Sequence, residues 1–84
     1  MMSEKMSTLE ARWWSQCFCH MAKRHLAKAQ LIRSFDPDQL ERLKSMVNSS
    51  SRLVQQYAEA HPDSQDLKQQ LQIIMSYREQ INQL

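Results

Sequence analysis

The chain has no glycine and only two prolines among its 84 residues. Glycine-free sequence excludes the phosphate-cradling loop, the dinucleotide fingerprint, the nucleophile elbow and the usual type I′ hairpin, because each needs backbone that only glycine supplies cheaply. Long apolar runs are also missing. Spanning a bilayer takes about 20 apolar residues, and the densest candidate, Ile73-Ile74-Met75, is hemmed by Gln72 and Ser76. No positively charged start leads into a short apolar run of the secretory type, and a cytoplasmic protein is expected. Only two cysteines are present, Cys17 and Cys19. Two positions apart on a helix they point to opposite sides, so they do not bridge one another.

What remains suits helices. The composition is 42% hydrophobic and 24% charged, with the good helix formers uninterrupted over long stretches. A chain of this length hides only about 60% of the surface its unfolded form exposes, so a partner surface is a natural supplement to its own core. The net charge of +2 conceals an asymmetry. Up to Phe35 the balance is +4, with Lys5, Arg12, Lys23, Arg24, Lys28 and Arg33 against Glu4 and Glu10. After Phe35 it is −2. Opposite signs on consecutive segments of a small helical protein favour packing of those segments on one another.

Three helix starts can be read locally. Ser7-Thr8-Leu9-Glu10 is an S-x-x-E capping box, which leaves residues 1–6 as a flexible tail. Phe35-Asp36-Pro37-Asp38-Gln39-Leu40 combines an Asp36 N-cap, Pro37 at N1, Asp38 in the first turn, Gln39 reaching back, and a Phe35–Leu40 hydrophobic staple. Pro62 stops the preceding helix at His61, and Asp63 is the expected next cap with Ser64 as the alternative. The helices therefore run over about 8–34, 37–60 and 64–83 of a single domain. The fold class is all-α, an antiparallel helical hairpin extended by a third helix.

Each helix carries an apolar stripe. In the second, Leu40, Leu43, Val47, Ser50, Val54 and Tyr57 follow a three-and-four spacing, with Met46 and Leu53 widening it. Ser50 on this seam is expected to admit an aromatic of the first helix, and no strained turn surrounds it to suggest a catalytic serine. In the third, Leu67, Leu71, Ile74, Ile81 and Leu84 share one side, with Ile73 and Tyr77 at its margin. The first helix is the richest. Trp14, Phe18, Met21, His25, Ala29 and Ile32 form one stripe, while Leu9, Trp13, Cys17 and Leu31 occupy a sector about 100° away.

This is more apolar surface than two neighbouring helices need to cover, and a leftover aromatic patch is the mark of a protein-binding surface. The expected partner-binding residues are Trp13, Trp14, Cys17, Phe18, Met21, Leu31 and Ile32, with Arg12, Lys23 and Arg24 as rim charges that tune register and on-rate. The partner is another helical protein, giving a heterodimer, or a second copy, giving a homodimer. No small-molecule substrate or cofactor is expected. Cys17, Cys19, His20 and His25 match no zinc-module spacing, and no nucleophile–base–orienter set can be assembled, so neither a metal site nor an enzyme is expected. The alternative is a basic amphipathic helix that binds a membrane surface or nucleic acid.

A long first helix, the Asp36-Pro37-Asp38-Gln39-Leu40 turn and a second helix of similar length resemble the small helical-hairpin co-chaperones of bacterial type III secretion needle subunits. The resemblance covers about Leu9 to Tyr57. It implies a cytoplasmic protein that pairs with a larger helical-repeat chaperone and helps keep a polymerising subunit monomeric. The third helix and the Trp13-Trp14 pair depart from that pattern, and no site residue is carried over from it.

Overall fold

A computed structural model describes residues 6–84, which form three helices: α1 (Thr8–Ile32), α2 (Pro37–Ala60) and α3 (Gln65–Asn82). Every pair of helices packs together, so α3 closes the α1–α2 hairpin into a three-helix bundle of 45 × 28 × 15 Å.

The helix ends follow local chemistry. At α1 the capping box is complete, with Ser7 Oγ accepting from Glu10 N at 3.1 Å and Ser7 N donating to Glu10 Oε1 at 3.3 Å. Asp36 caps α2 by accepting from Gln39 N at 3.1 Å. The Gln39 side chain does not close the expected box. Its amide lies with the nitrogen 3.2 Å from Asp36 Oδ2 and the oxygen 2.9 Å from Lys28 Nζ, tying the start of α2 to α1. The staple is also absent: Leu40 is drawn into the core while Phe35 stays 72% exposed. At α3 the cap is Ser64, which accepts from Leu67 N at 3.2 Å, and Asp63 lies in the preceding turn. α1 ends at Ile32, two residues short of the expected 34, because Phe35 N and Asp36 N both close turns onto Ile32 O. Of the expected tail, residues 1–5 lie outside the described residues. Met6 is half-buried against Ala11, Ala58 and Leu67.

The core corrects the expected packing stripe of α1. The face turned inward is Ala11, Ser15, Cys19, Ala22, Leu26 and Ala29, not the stripe through Trp14, Met21 and His25. Small side chains let the axes of α2 and α3 approach α1, while volume comes from the other two helices. α3 contributes Leu67, Ile74 and Ile81, each fully buried and spaced by one heptad, and burying such a side chain stabilises by about 1.5–3 kcal/mol. α2 contributes Leu40, Leu43, Val47 and Val54. Its seam passes through Ser51 and Ala58 rather than Ser50 and Tyr57. Ser51 is fully buried and donates to Asn48 O at 2.8 Å, whereas Ser50 is half-buried. At Tyr57 and Ala58 the centre takes the smaller of two adjacent residues, while Ser50 and Ser51 are equal in size and helical register alone puts Ser51 in line with Val47, Val54 and Ala58.

Polar contacts lock the helix pairs at their ends. Arg12 on α1 meets Asp66 on α3 at 2.7 Å. Thr8 Oγ1 lies 3.1 Å from His61 Nδ1. Between α2 and α3, Asn48 Nδ2 donates to Asn82 Oδ1 at 3.0 Å, while Asn48 Oδ1 accepts from Asn82 Nδ2 at 3.0 Å and from Arg78 Nε at 2.8 Å.

Candidate protein-binding surface

With its small residues turned inward, α1 presents its large ones to solvent. Along the line opposite the buried face stand Leu9, Trp13 and Leu31, exposed by 72%, 56% and 75%. They are joined by Cys17, half-buried, and by His20 and Ala27, both exposed. Leu9, Trp13, Cys17, His20, Arg24, Ala27 and Leu31 keep helical spacing on this side, with His20 and Arg24 separating Trp13 from Leu31.

An aromatic ladder connects the two sides. Trp13 meets the edge of Trp14 with ring centroids 4.8 Å apart, Trp14 stacks on Phe18 at 6.0 Å, and Phe18 stacks on Tyr57 of α2 at 6.4 Å. Pairs of this geometry contribute about 0.5–1.5 kcal/mol beyond burial. The ladder holds both indoles in place while leaving much of their surface free: Trp14, like Trp13 and Met21, is exposed, whereas Phe18 and Ile32 pack at the core margin. Beside Trp13 a shallow hollow of about 390 Å³ is floored by Cys17 and Met21.

The expected rim charges divide. Arg12 is engaged by Asp66 within the chain. Lys23 and Arg24 are exposed and have no carboxylate within 4.0 Å among the described residues. The cysteines also differ. Cys19 is buried, its Sγ donates to Gln70 O at 3.3 Å, and burial pushes its thiol up to about 11. Such a thiol is inert near neutral pH. Cys17 is a free thiol on the outer side. No group of three or more His, Cys, Asp or Glu side chains among the described residues is arranged to hold a metal ion. Among the described residues no helix is long and apolar enough to cross a membrane.

A second feature was not singled out from sequence. Where α1 approaches the turn and α2 leaves it, a groove of about 590 Å³ is lined on one side by Met21, Arg24, His25 and Lys28. Gln39, Arg42, Leu43 and Met46 line the other side. Burial, then the charges of Arg24 and Lys28, hold the His25 pKa below its ordinary value. Its Nε2 is buried with no hydrogen-bond partner. The signal was present as matching spacings, Met21-Arg24-Lys28 and Gln39-Arg42-Met46. It becomes legible only once α1 and α2 are laid antiparallel about the turn.

No protein-family model, curated protein or solved structure matches the chain.

Proposed function

We propose that the chain is a non-catalytic helix-docking protein whose α1 outer face buries against a helix of another protein or of a second copy. The observation that carries this reading is the exposure of Leu9, Trp13 and Leu31 along one line of α1, opposite a small-residue face that already satisfies the bundle. Leu9, Trp13, Trp14 and Met21 stand exposed together in the first half of α1, an apolar patch of the kind that marks interaction sites, and tryptophan is among the residues most often found at the energetic centre of an interface. Trp13, Trp14 and Met21 supply the exposed anchors, Leu31 extends the line, and Lys23 and Arg24 flank it. The resemblance to needle-subunit co-chaperones gives the narrower form of the proposal: a cytoplasmic adaptor paired with a larger helical chaperone of a bacterial secretion system.

Light scattering coupled to size exclusion, on the chain alone and after co-purification from its native host, separates monomer, homodimer and heterodimer. Trp13→Ala is expected to weaken association by at least about 2 kcal/mol while leaving helicity and melting temperature close to wild type. A monomer that associates with nothing, or a Trp13→Ala variant that melts the bundle without touching association, would overturn the reading. Blue-shifted tryptophan fluorescence on anionic vesicles would assign the face to a membrane surface instead.

A further inference from the structure

The groove between α1 and α2 combines positive charge with an apolar floor, and neither is matched within the chain. Arg24, Lys28 and Arg42 have no carboxylate within 4.0 Å among the described residues, where the ion pairs are Arg12–Asp66 and Lys44–Glu41. Asp36, linked to Lys28 through Gln39, is committed to capping α2. Met21 and Met46, both exposed, line the end of the groove farther from the turn, and unbranched thioethers adapt readily to whatever apolar side chain is presented. The buried and unpartnered Nε2 of His25 adds a polar atom with nothing in the chain to meet it. Burial first, and then the neighbouring Arg24 and Lys28, disfavour protonation of that imidazole.

The spacing indicates the shape of the occupant. Arg24 and Lys28 are one helical turn apart on α1, and Arg42 and Met46 are one turn apart on α2. Two parallel rows with the repeat of a helix complement a third helix lying between them. A small inorganic anion would leave the methionines uncovered, and the groove has no exposed aromatic platform for an unstacked base.

We propose that this groove receives an acidic amphipathic helix of the partner protein, its carboxylates meeting Arg24, Lys28 and Arg42 and its apolar side chains seated between Met21 and Met46. The inference rests on the helix-docking reading above and adds to it the chemistry of the partner and a second line of contact.

The probe is a fluorescein-labelled helical peptide of about five turns, with leucine and methionine on one face and glutamate on its flanks. Two controls replace every glutamate by glutamine or by lysine. The glutamate peptide is expected to bind saturably, with affinity that falls as salt rises. Its footprint in amide chemical-shift mapping should fall on residues 21–28 and 39–46. Arg24→Gln combined with Arg42→Gln should weaken it by about tenfold or more, with helicity and melting temperature checked by circular dichroism. Trp13→Ala should leave peptide binding unchanged. Met46→Ser provides an independent loss through the apolar floor.

Equal binding of the three peptides, a footprint elsewhere, no saturable binding, or protection of the groove by anionic vesicles alone would each overturn the proposal. If the groove fails while Trp13→Ala still disrupts association with the native partner, the acidic-helix assignment falls and docking through the outer face of α1 stands. If the peptide binds the groove but Trp13→Ala has no effect on the native complex, the outer-face assignment falls instead.

Discussion

The side of α1 facing the bundle carries Ala11, Ser15, Cys19, Ala22, Leu26 and Ala29, while the side facing water carries Leu9, Trp13, Cys17 and Leu31. The outer side also carries Gln16, His20 and Arg24, so its large apolar residues stand among polar ones, whereas the inner side holds no charge. The small residues of the inner face let α1 lie close against its neighbours. α2 and α3 fill the centre with Leu67, Ile74, Ile81, Val47 and Val54, and α1 fits against them because it is slender there. Among the large side chains of α1, Leu26 is buried on the inner face, Phe18 lies at the flank and Trp13 outside.

The contrast can be broken most severely from the filled side. Ile74→Ala removes a fully buried side chain and should cost about 2–5 kcal/mol in denaturant titration. A value under about 1 kcal/mol would mean that the centre is looser than the three-helix packing requires. Forcing bulk into the slender face comes next. Ala22→Leu, at a position only 1% exposed, should destabilise by about 1–3 kcal/mol through overpacking, although leucine is the more apolar residue. A stabilised Ala22→Leu protein would contradict the proposed reason for the small face. The helix start at α3 is a smaller lever. Ser64→Ala should cost about 1 kcal/mol, while Asp63→Ala should stay within about 0.5 kcal/mol, and thermal melts of the pair would distinguish the two caps. The last comparison changes reactivity rather than stability. Alkylation near neutral pH should label Cys17 and spare Cys19, whose buried thiol keeps its proton until about 11. Mass spectrometry of the labelled peptide reads the outcome, and early modification of Cys19 would place the inner face elsewhere.

Much of the architecture was legible because its signals are local. Ser7 with Glu10, and Asp36 with Pro37, mark helix starts through contacts spanning three residues, and the apolar stripe of α3 contains Leu67, Ile74 and Ile81 at full burial. The inner face of α1 was not legible in the same way. Periodicity reports which large apolar residues share a side, and alanine, serine and cysteine barely register in it. On α2 the patterns through Ser50 and Ser51 both satisfy helical spacing, and two identical residues give the sequence nothing by which to choose between them. Trp13 and Leu31 stood out as surplus because their sector lies away from the main stripe. The basic groove could not be read from either helix alone: it is assembled from Arg24 and Lys28 on one and Arg42 and Met46 on the other.

The mutual hydrogen bonds of Asn48 and Asn82, with Arg78 alongside, bear on how α3 finds its alignment. Leu67, Ile74 and Ile81 repeat at equal intervals, so sliding α3 lengthwise by one interval would keep two of the three places filled by a branched apolar residue and expel the third, at about 1.5–3 kcal/mol. The amide pair has only one setting in which both partners are satisfied. Asn82 is exposed and would be met by water after a slip, whereas Asn48 is half-buried and would lose Asn82 and Arg78 together, and a half-buried amide can favour one axial position over others. Here the greasy residues supply the adhesion, and a single asparagine tells them where to stop.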